Sequence, residues 1–225
     1  MLAEPRIREA LLTLYAFHYE LAKIPEFTSE PMMGAIRYQW WREAIDEIYL
    51  GKPVRRHEVT TPLAQIVKAF NIPRFHIDQL INGRERDIDP RPFEDIDEAR
   101  QYCSQTSGVL AHIAAYICDP DKADIGQELG QVWGLTGLLR GYGFYEDTML
   151  KNLSKEAFLS EARQAYRKAQ GNIKTLPVLI VPAFAYIALV PGFLRRHSLA
   201  TPRSYGGLSK RLRLLITAMT GKLPK

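Results

Sequence analysis

Apolar residues recur at helical spacing along almost the whole chain. Between Ile7 and Leu21 most of them stand three or four positions apart, and a second run of the same kind leads from Met33 to a stop at Gly51. This spacing is typical of helices that bury one face. Further helices are predicted over residues 61–70, 73–83, 95–117, 121–140, 154–170 and 208–220. No segment shows the period of a strand, so the pattern predicts an all-α fold.

Glycine and proline mark the predicted breaks. Gly171 is expected to end the helix that Ser154 begins, and residues 175–194 form an uncharged run interrupted by three prolines. So many breaks argue against a spanning helix and favour a kinked, buried helix, with a membrane-surface element as the alternative. Because no low-complexity linker divides the chain, residues 1–225 are predicted to form a single domain.

Composition and charge narrow the class of protein. The 225 residues are 46% hydrophobic and 24% charged, which excludes a disordered chain and a small disulfide scaffold. Residues 1–161 hold 18 Lys and Arg against 25 Asp and Glu, whereas residues 162–225 hold 12 Lys and Arg and no acid. The basic end is expected either to meet an anionic partner or to cover the acidic part of its own fold.

The sequence lacks the common catalytic motifs. There is no phosphate-binding P-loop, GxGxxG, HExxH, GxSxG or CxxC pattern, and the five histidines are scattered. Cys103 and Cys118 lie fifteen positions apart, which is not a zinc-ligand spacing. We therefore expect a reducing compartment, no zinc site and no nucleophile–base pair.

Five motifs in order carry a resemblance that spans most of the chain. They are Tyr15–Phe17, Arg37–Pro53, Ile81–Asp89, Tyr102-Cys103 with Gly108, and Gly134–Arg140. In this order and spacing they resemble the squalene/phytoene synthase family. The resemblance implies an isoprenoid-synthase-type bundle of α-helices around a central apolar cavity.

The family's reaction condenses two prenyl diphosphates and needs two aspartate-rich clusters that hold Mg²⁺. Read without gaps, the first cluster falls on Ala22, Lys23 and Glu26, and the second falls on Gly141 and Tyr145. Only Glu26 keeps a carboxylate. These departures predict that both motifs are degenerate, with no catalytic residue, no metal site and no cofactor.

Other acids are weaker substitutes for the lost clusters. Glu85 and Asp87 match a separate acidic pattern of the family and are expected to keep its role there. Asp89 precedes a proline, where a helix is ending. Glu43 and Glu47 have same-face spacing that fits a solvated helix surface, and Glu146-Asp147 would reach the second cluster only after a shift of register.

One branch of the family fits these losses. The segment Phe17–Ile24, together with Trp41 and Asp46–Tyr49, resembles the branch that holds an assembly factor of respiratory complex I. The resemblance implies a catalytically degenerate, membrane-associated assembly or binding factor. Two alternatives stay open: an active prenyl transferase that uses Mg²⁺ to make a squalene- or phytoene-like product, and a non-catalytic carrier of isoprenoid or lipid.

The basic end suggests where a partner binds. Arg195, Arg196, Lys210, Arg211 and Arg213 are predicted to form a membrane or partner surface, with Arg203 between them. The last helix carries an apolar stripe of Leu208, Leu212, Leu215, Ile216 and Met219. A basic amphipathic helix is typical of membrane surfaces, although the stripe could instead pack on the bundle.

Partners and location follow as expectations. We expect a protein partner or an anionic membrane surface, and a prenyl or lipid ligand is a further candidate. Nucleic acid is not expected, because Tyr205 is the one aromatic residue among the cations of residues 195–213 that a base could stack on. Charged residues near the start do not resemble a secretory or transit peptide, so a cytoplasmic, bacterial-type protein, peripheral at the inner membrane, is expected.

Overall fold

The computed structural model describes residues 3–27, 30–88, 91–197 and 206–223. Within these ranges the regular elements are all helical and no strand occurs, as the apolar spacing predicts. Asp89, Arg203 and Tyr205 lie outside the described residues. The chain divides into two compact units, residues 4–90 and residues 91–225, and Ala3 groups with the second. The expectation of one domain stays a prediction.

Four helices build the first unit. They are α1 (Pro5–Ala22), α2 (Pro31–Tyr49), α3 (Thr60–Phe70) and α4 (Arg74–Glu85), with short 3₁₀ turns at Ile24–Phe27 and Arg86–Ile88. Helix α1 packs against α3 and α4, and α2 packs against α4. Prolines stand at the starts of α1 and α2, where the missing N–H costs no hydrogen bond.

Buried aromatic residues join the helices of the first unit. The rings of Phe17 and Trp41 meet edge to face with centroids 5.1 Å apart. Tyr38 is fully buried, and its hydroxyl oxygen lies 3.0 Å from the carbonyl oxygen of Leu21 and 2.9 Å from that of Arg84. One tyrosine therefore ties together the C-terminal ends of α1 and α4.

The second unit contains eight helices within its described residues. They are α5 (Ile96–Cys103), α6 (Val109–Cys118), α7 (Ala123–Arg140), α8 (Tyr142–Tyr145), α9 (Lys155–Thr175), α10 (Val181–Phe184), α11 (Val190–His197) and α12 (Gly207–Thr220). Helix α7 is central and packs against α5, α6, α9 and α11. Cys103 and Cys118 are buried, and neither forms a disulfide within the described residues.

Glycines allow α6 and α7 to approach closely. A Cβ atom on Gly130 would collide with the carbonyl oxygen of Ser107 and would lie 2.8 Å from the Cα atom of Gly108. Ser104–Gly108 forms a π-helical turn between α5 and α6, and the side-chain amide of Gln127 donates to the carbonyl oxygen of Ser104 at 2.9 Å. The predicted continuous helix over residues 95–117 is therefore interrupted by one widened turn.

Two predicted breaks differ from the structure. Gly171 does not end its helix, because α9 continues to Thr175 and buries Ile173 beyond it. The kinked segment is not one helix but α10, a 3₁₀ turn at Ala185–Leu189 and α11. Among the described helices, none combines the length and the apolar character that crossing a bilayer requires.

Candidate functional site

The residues predicted to form the first degenerate motif lie where α1 ends. The helix stops at Ala22, Lys23 caps it, and Glu26 belongs to the 3₁₀ turn that follows. Two carboxylates four residues apart share a face only while the helix continues. Here the helix ends before Glu26, whose side chain is exposed, so this segment offers no pair of carboxylates on one helical face.

The charge of Lys23 is already neutralised. Its Nζ atom lies 2.5 Å from Oε1 of Glu20, and its ammonium also lies over the Tyr19 ring, 5.5 Å from the centroid. Both partners of the ion pair are more than two-thirds shielded from solvent. An ammonium at this position repels Mg²⁺, and its pairing with Glu20 also removes that carboxylate as a free ligand.

A small aromatic pocket adjoins the pair. It has a volume of about 200 Å³ and is lined by Glu20, Lys23, Ile24, Arg37, Trp40, Trp41 and His57. The rings of Trp40, Trp41 and His57 meet edge to face at 5.1–5.4 Å. Sites for drug-sized ligands usually measure about 300–1,000 Å³, so this pocket suits a side chain or a small group.

Sequence reasoning missed His57 as a neighbour of the first motif. Its Nδ1 atom accepts a hydrogen bond from the backbone N–H of Val59 at 3.1 Å. In the neutral ring the proton then lies on Nε2, which is 4.0 Å from Oε2 of Glu20. His57 precedes α3 and is far from Glu20 in the chain, so no local spacing could have paired them.

The residues predicted to form the second degenerate motif lie at and just beyond the end of α7. Gly141 caps that helix, and the ring of Tyr145 folds back over it, so that a Cβ atom on Gly141 would lie 2.9 Å from Cε2 of Tyr145. An aspartate at position 141 would have to displace this ring. Glu146 and Asp147 are exposed beyond it. Neither Gly141 nor Tyr145 therefore supplies a carboxylate.

Arginines of the first unit neutralise the two retained acids. Arg42 donates to both carboxylate oxygens of Glu85, at 3.2 and 2.7 Å. Arg84 donates to Asp87 at 3.0 Å, and both of these side chains are about 85% shielded from solvent. The structure thus ties both acids to arginines of their own unit.

Arg84 also contacts His18. Its Nε and Nη2 atoms lie 3.2 and 2.9 Å from Nε2 of the histidine, which must accept because a guanidinium has no acceptor. Burial, and then the charge of Arg84, lower the pKa of His18 to about 3. Burial also raises the pKa of Tyr38 above its usual range. His18 is therefore a neutral acceptor in this network.

The acids of α2 also have arginine partners. Arg55, in the loop after α2, donates to Glu47 at 2.8 and 3.0 Å and to Glu43 at 3.2 Å. Its hydrogen bonds to Glu47 hold the pKa of Arg55 above and that of Glu47 below its ordinary value. Glu43 and Glu47 thus anchor a loop.

The structure divides the predicted basic surface. Arg195 and Arg211 are exposed, and Arg196 is half-buried. Lys210 lies over the Phe193 ring at 5.5 Å from the centroid, and Arg213 approaches the carbonyl oxygen of Ala188 at 3.4 Å. The apolar stripe of α12 is exposed, so it does not pack on the bundle.

The residues at the two motifs do not fit Mg²⁺. This ion prefers carboxylate oxygens and water, whereas the five positions carry a methyl group, a paired ammonium, a glycine, a phenol ring and one exposed carboxylate, that of Glu26. Over the part of the chain that the structure describes, no three His, Cys, Asp or Glu side chains gather closely enough to hold a metal ion.

Comparison with known proteins finds relatives that are named complex I assembly factors. Complex I assembly factor 6 of NADH dehydrogenase (ubiquinone) from Homo sapiens is 24% identical over 218 residues, which cover 84% of this chain and 65% of that protein. The Bos taurus protein of the same name gives the same identity and coverage. The Dictyostelium discoideum homolog is 24% identical over 145 residues, covering 63% of this chain and 40% of that protein. The chain thus spans about 65% of the length of its human and bovine relatives.

The fold and the family agree with the sequence motifs. A crystal structure of a dehydrosqualene synthase in complex with ligand superposes with a TM-score of 0.71 at 14% identity, covering 97% of this chain and 88% of that one. At this identity the match shows a shared helical fold of the isoprenoid-synthase type. The family profile described as squalene/phytoene synthase matches residues 1–152. The chain therefore belongs to the squalene/phytoene synthase family.

Proposed function

We propose that this chain is a non-catalytic member of its family that acts as an assembly factor of the respiratory complex I type. The observation that carries the proposal is the Lys23–Glu20 ion pair at the position of the first aspartate-rich cluster. The Tyr145 ring over Gly141 supports it at the second cluster. Relatives that are named complex I assembly factors support the choice of process.

The proposal includes a location and partners. The chain binds a protein partner on the assembly pathway and associates peripherally with the cytoplasmic side of an inner membrane, in a bacterial-type cell. The acid-free segment 162–225, with its 12 Lys and Arg, supports an anionic surface as the second partner. No cofactor and no nucleic acid take part.

The test is genetic and biochemical. The coding sequence is deleted in the source organism, and fully assembled NADH dehydrogenase is quantified in membranes by native electrophoresis with an in-gel activity stain. We expect the deletion to lower the assembled complex and the plasmid-borne wild type to restore it. Succinate dehydrogenase in the same membranes is the control and should not change. An unaltered amount of assembled complex would contradict the assembly role.

The alternative is an active prenyl transferase, which the family membership favours. It would need Mg²⁺, and the residues at both motifs do not fit that ion. A lipid or isoprenoid carrier is a further alternative. The aromatic pocket of the first unit gives it little support, because about 200 Å³ is small for a prenyl chain.

A further inference from the structure

Helix α12 presents its apolar face to solvent. Leu208, Leu212, Leu215, Ile216 and Met219 are 46–82% exposed. At 100° per residue these five side chains fall within an arc of about 100°, along a helix about 21 Å long. A contiguous apolar patch of this kind usually marks an interaction site.

The opposite face of α12 holds the helix on its own unit. Thr217 is fully buried, and Leu214 packs against Leu189 and Phe193. Lys210 over the Phe193 ring and Arg213 at the carbonyl oxygen of Ala188 lie on this attached side. The side of α12 that contacts the protein therefore carries Lys210, Arg213 and Thr217. A helix that covers a protein core would instead bury its apolar stripe and expose these residues.

The charges around the exposed face indicate which kind of partner binds it. Arg211 is exposed beside the stripe, and Lys222 is exposed just beyond the end of the helix. From residue 162 to the end of the chain there is no Asp or Glu to repel an anionic surface. An apolar stripe flanked by cations is the pattern of helices that lie in the interface of a membrane with anionic lipid.

We propose that α12 is an interfacial helix that inserts this apolar face into the surface of an anionic bilayer. The inference rests on the proposed function, for which it names the membrane contact. Leu212, Ile216 and Met219 supply the insertion, Arg211 and Lys222 supply the preference for anionic lipid, and Lys210 and Arg213 keep the helix seated on the protein.

The experiment is flotation of the full chain with two kinds of vesicle, phosphatidylcholine alone and phosphatidylcholine mixed with phosphatidylglycerol. The wild type should float with the anionic vesicles at low salt and less at high salt. The variant Leu212→Gln/Ile216→Gln/Met219→Gln should bind at least about tenfold more weakly. The variant Arg211→Gln/Lys222→Gln should lose the preference for anionic vesicles.

A matched control distinguishes insertion of the α12 stripe from nonspecific binding of any exposed apolar side chain to vesicles. Phe144→Gln removes an apolar side chain that is 81% exposed elsewhere in the same unit, and this variant should bind like the wild type. All the replaced side chains are exposed, so the variants should keep their helical circular dichroism.

Three outcomes would overturn the proposal. They are no binding of the wild type to anionic vesicles, unchanged binding of the triple apolar variant, and light scattering that shows a dimer for the wild type and a monomer for this variant. The last would assign the stripe to a second copy of the chain. None of these outcomes would contradict the assembly role, because the deletion phenotype is measured without vesicles.

Discussion

The ammonium of Lys23 lies 2.5 Å from a carboxylate oxygen of Glu20, in the segment where the family resemblance predicts the first aspartate-rich cluster. The two opposite charges neutralise each other at the end of α1. Trp40, Trp41 and His57 close one side of this ion pair.

Restoring acids at the first motif should not restore chemistry. We expect Ala22→Asp/Lys23→Asp to release no diphosphate from farnesyl diphosphate with Mg²⁺, because Gly141 and Tyr145 still supply no carboxylate. Lys23→Asp should lower the free energy of unfolding by about 0.5–1 kcal/mol, since the ion pair is replaced by repulsion from Glu20. Chemical denaturation measures this loss, which should shrink at high salt. Diphosphate release by the double variant would refute the requirement for two clusters.

The close approach of α6 and α7 provides a matched pair of substitutions. Gly130→Ala should lower the free energy of unfolding by about 1–3 kcal/mol or more, because the new methyl group meets the backbone of Ser107 and lies 2.5 Å from the Cβ atom of Ala111. Gly137→Ala, in the same helix with open space around it, should raise the free energy by about 0.5–1 kcal/mol. Urea denaturation of both variants checks the prediction. Equal changes in the free energy of unfolding would show that α6 and α7 can move apart at no energetic cost.

Tyr38 should be important for the stability of the first unit. Tyr38→Phe keeps the buried ring but leaves the carbonyl groups of Leu21 and Arg84 without the hydroxyl, which should cost about 1–3 kcal/mol of unfolding free energy. Tyr19→Phe, at an exposed ring, is the control and should change stability by less than about 0.5 kcal/mol. The prediction fails if the two variants unfold at the same denaturant concentration.

His18 should make stability depend on pH. Its pKa is about 3 in the fold against 6.5 for a free histidine, so below pH 6.5 the unfolded chain takes up a proton that the folded chain refuses. The free energy of unfolding should therefore fall as the pH falls from 6.5 towards 3, by at most about 1.4 kcal/mol per pH unit from this group. Above pH 6.5 His18 is neutral in both the folded and the unfolded chain, so it adds no further pH dependence to the free energy of unfolding.

The variant His18→Gln isolates this effect, because its amide oxygen can still accept from Arg84. The difference in unfolding free energy between wild type and variant should narrow or reverse as the pH falls below 6.5. Parallel stability curves for the two proteins across pH 7 to 4 would exclude His18 as the cause.

Much of the fold could be predicted from local spacing, and the contacts between elements could not. The last helix was expected at residues 208–220 and runs from Gly207 to Thr220. Its apolar stripe was visible in the sequence, but spacing alone does not say which face has a partner. Only the packing of Leu214 and Thr217 shows that the stripe is left outside.

The predicted helix ends show the same limit of prediction from local spacing. Gly171 was a reasonable helix stop, yet the burial of Tyr166 and Ile173 on either side of it outweighs the weak helix propensity of one glycine. At the site, the identities of Ala22, Lys23, Gly141 and Tyr145 could be read directly from the sequence. The distant neighbours of Glu20 and Glu85 could not, because His57 and Arg42 come from other elements.

The central claim is that the family's fold is kept without the family's chemistry, and diphosphate release measures this most directly. The purified full chain is incubated with Mg²⁺ and farnesyl or geranylgeranyl diphosphate, with an active dehydrosqualene synthase as the positive control. We predict release no faster than in the absence of protein, because neither motif can bind the metal ions that neutralise the leaving group. Steady, Mg²⁺-dependent release above that background would contradict the account.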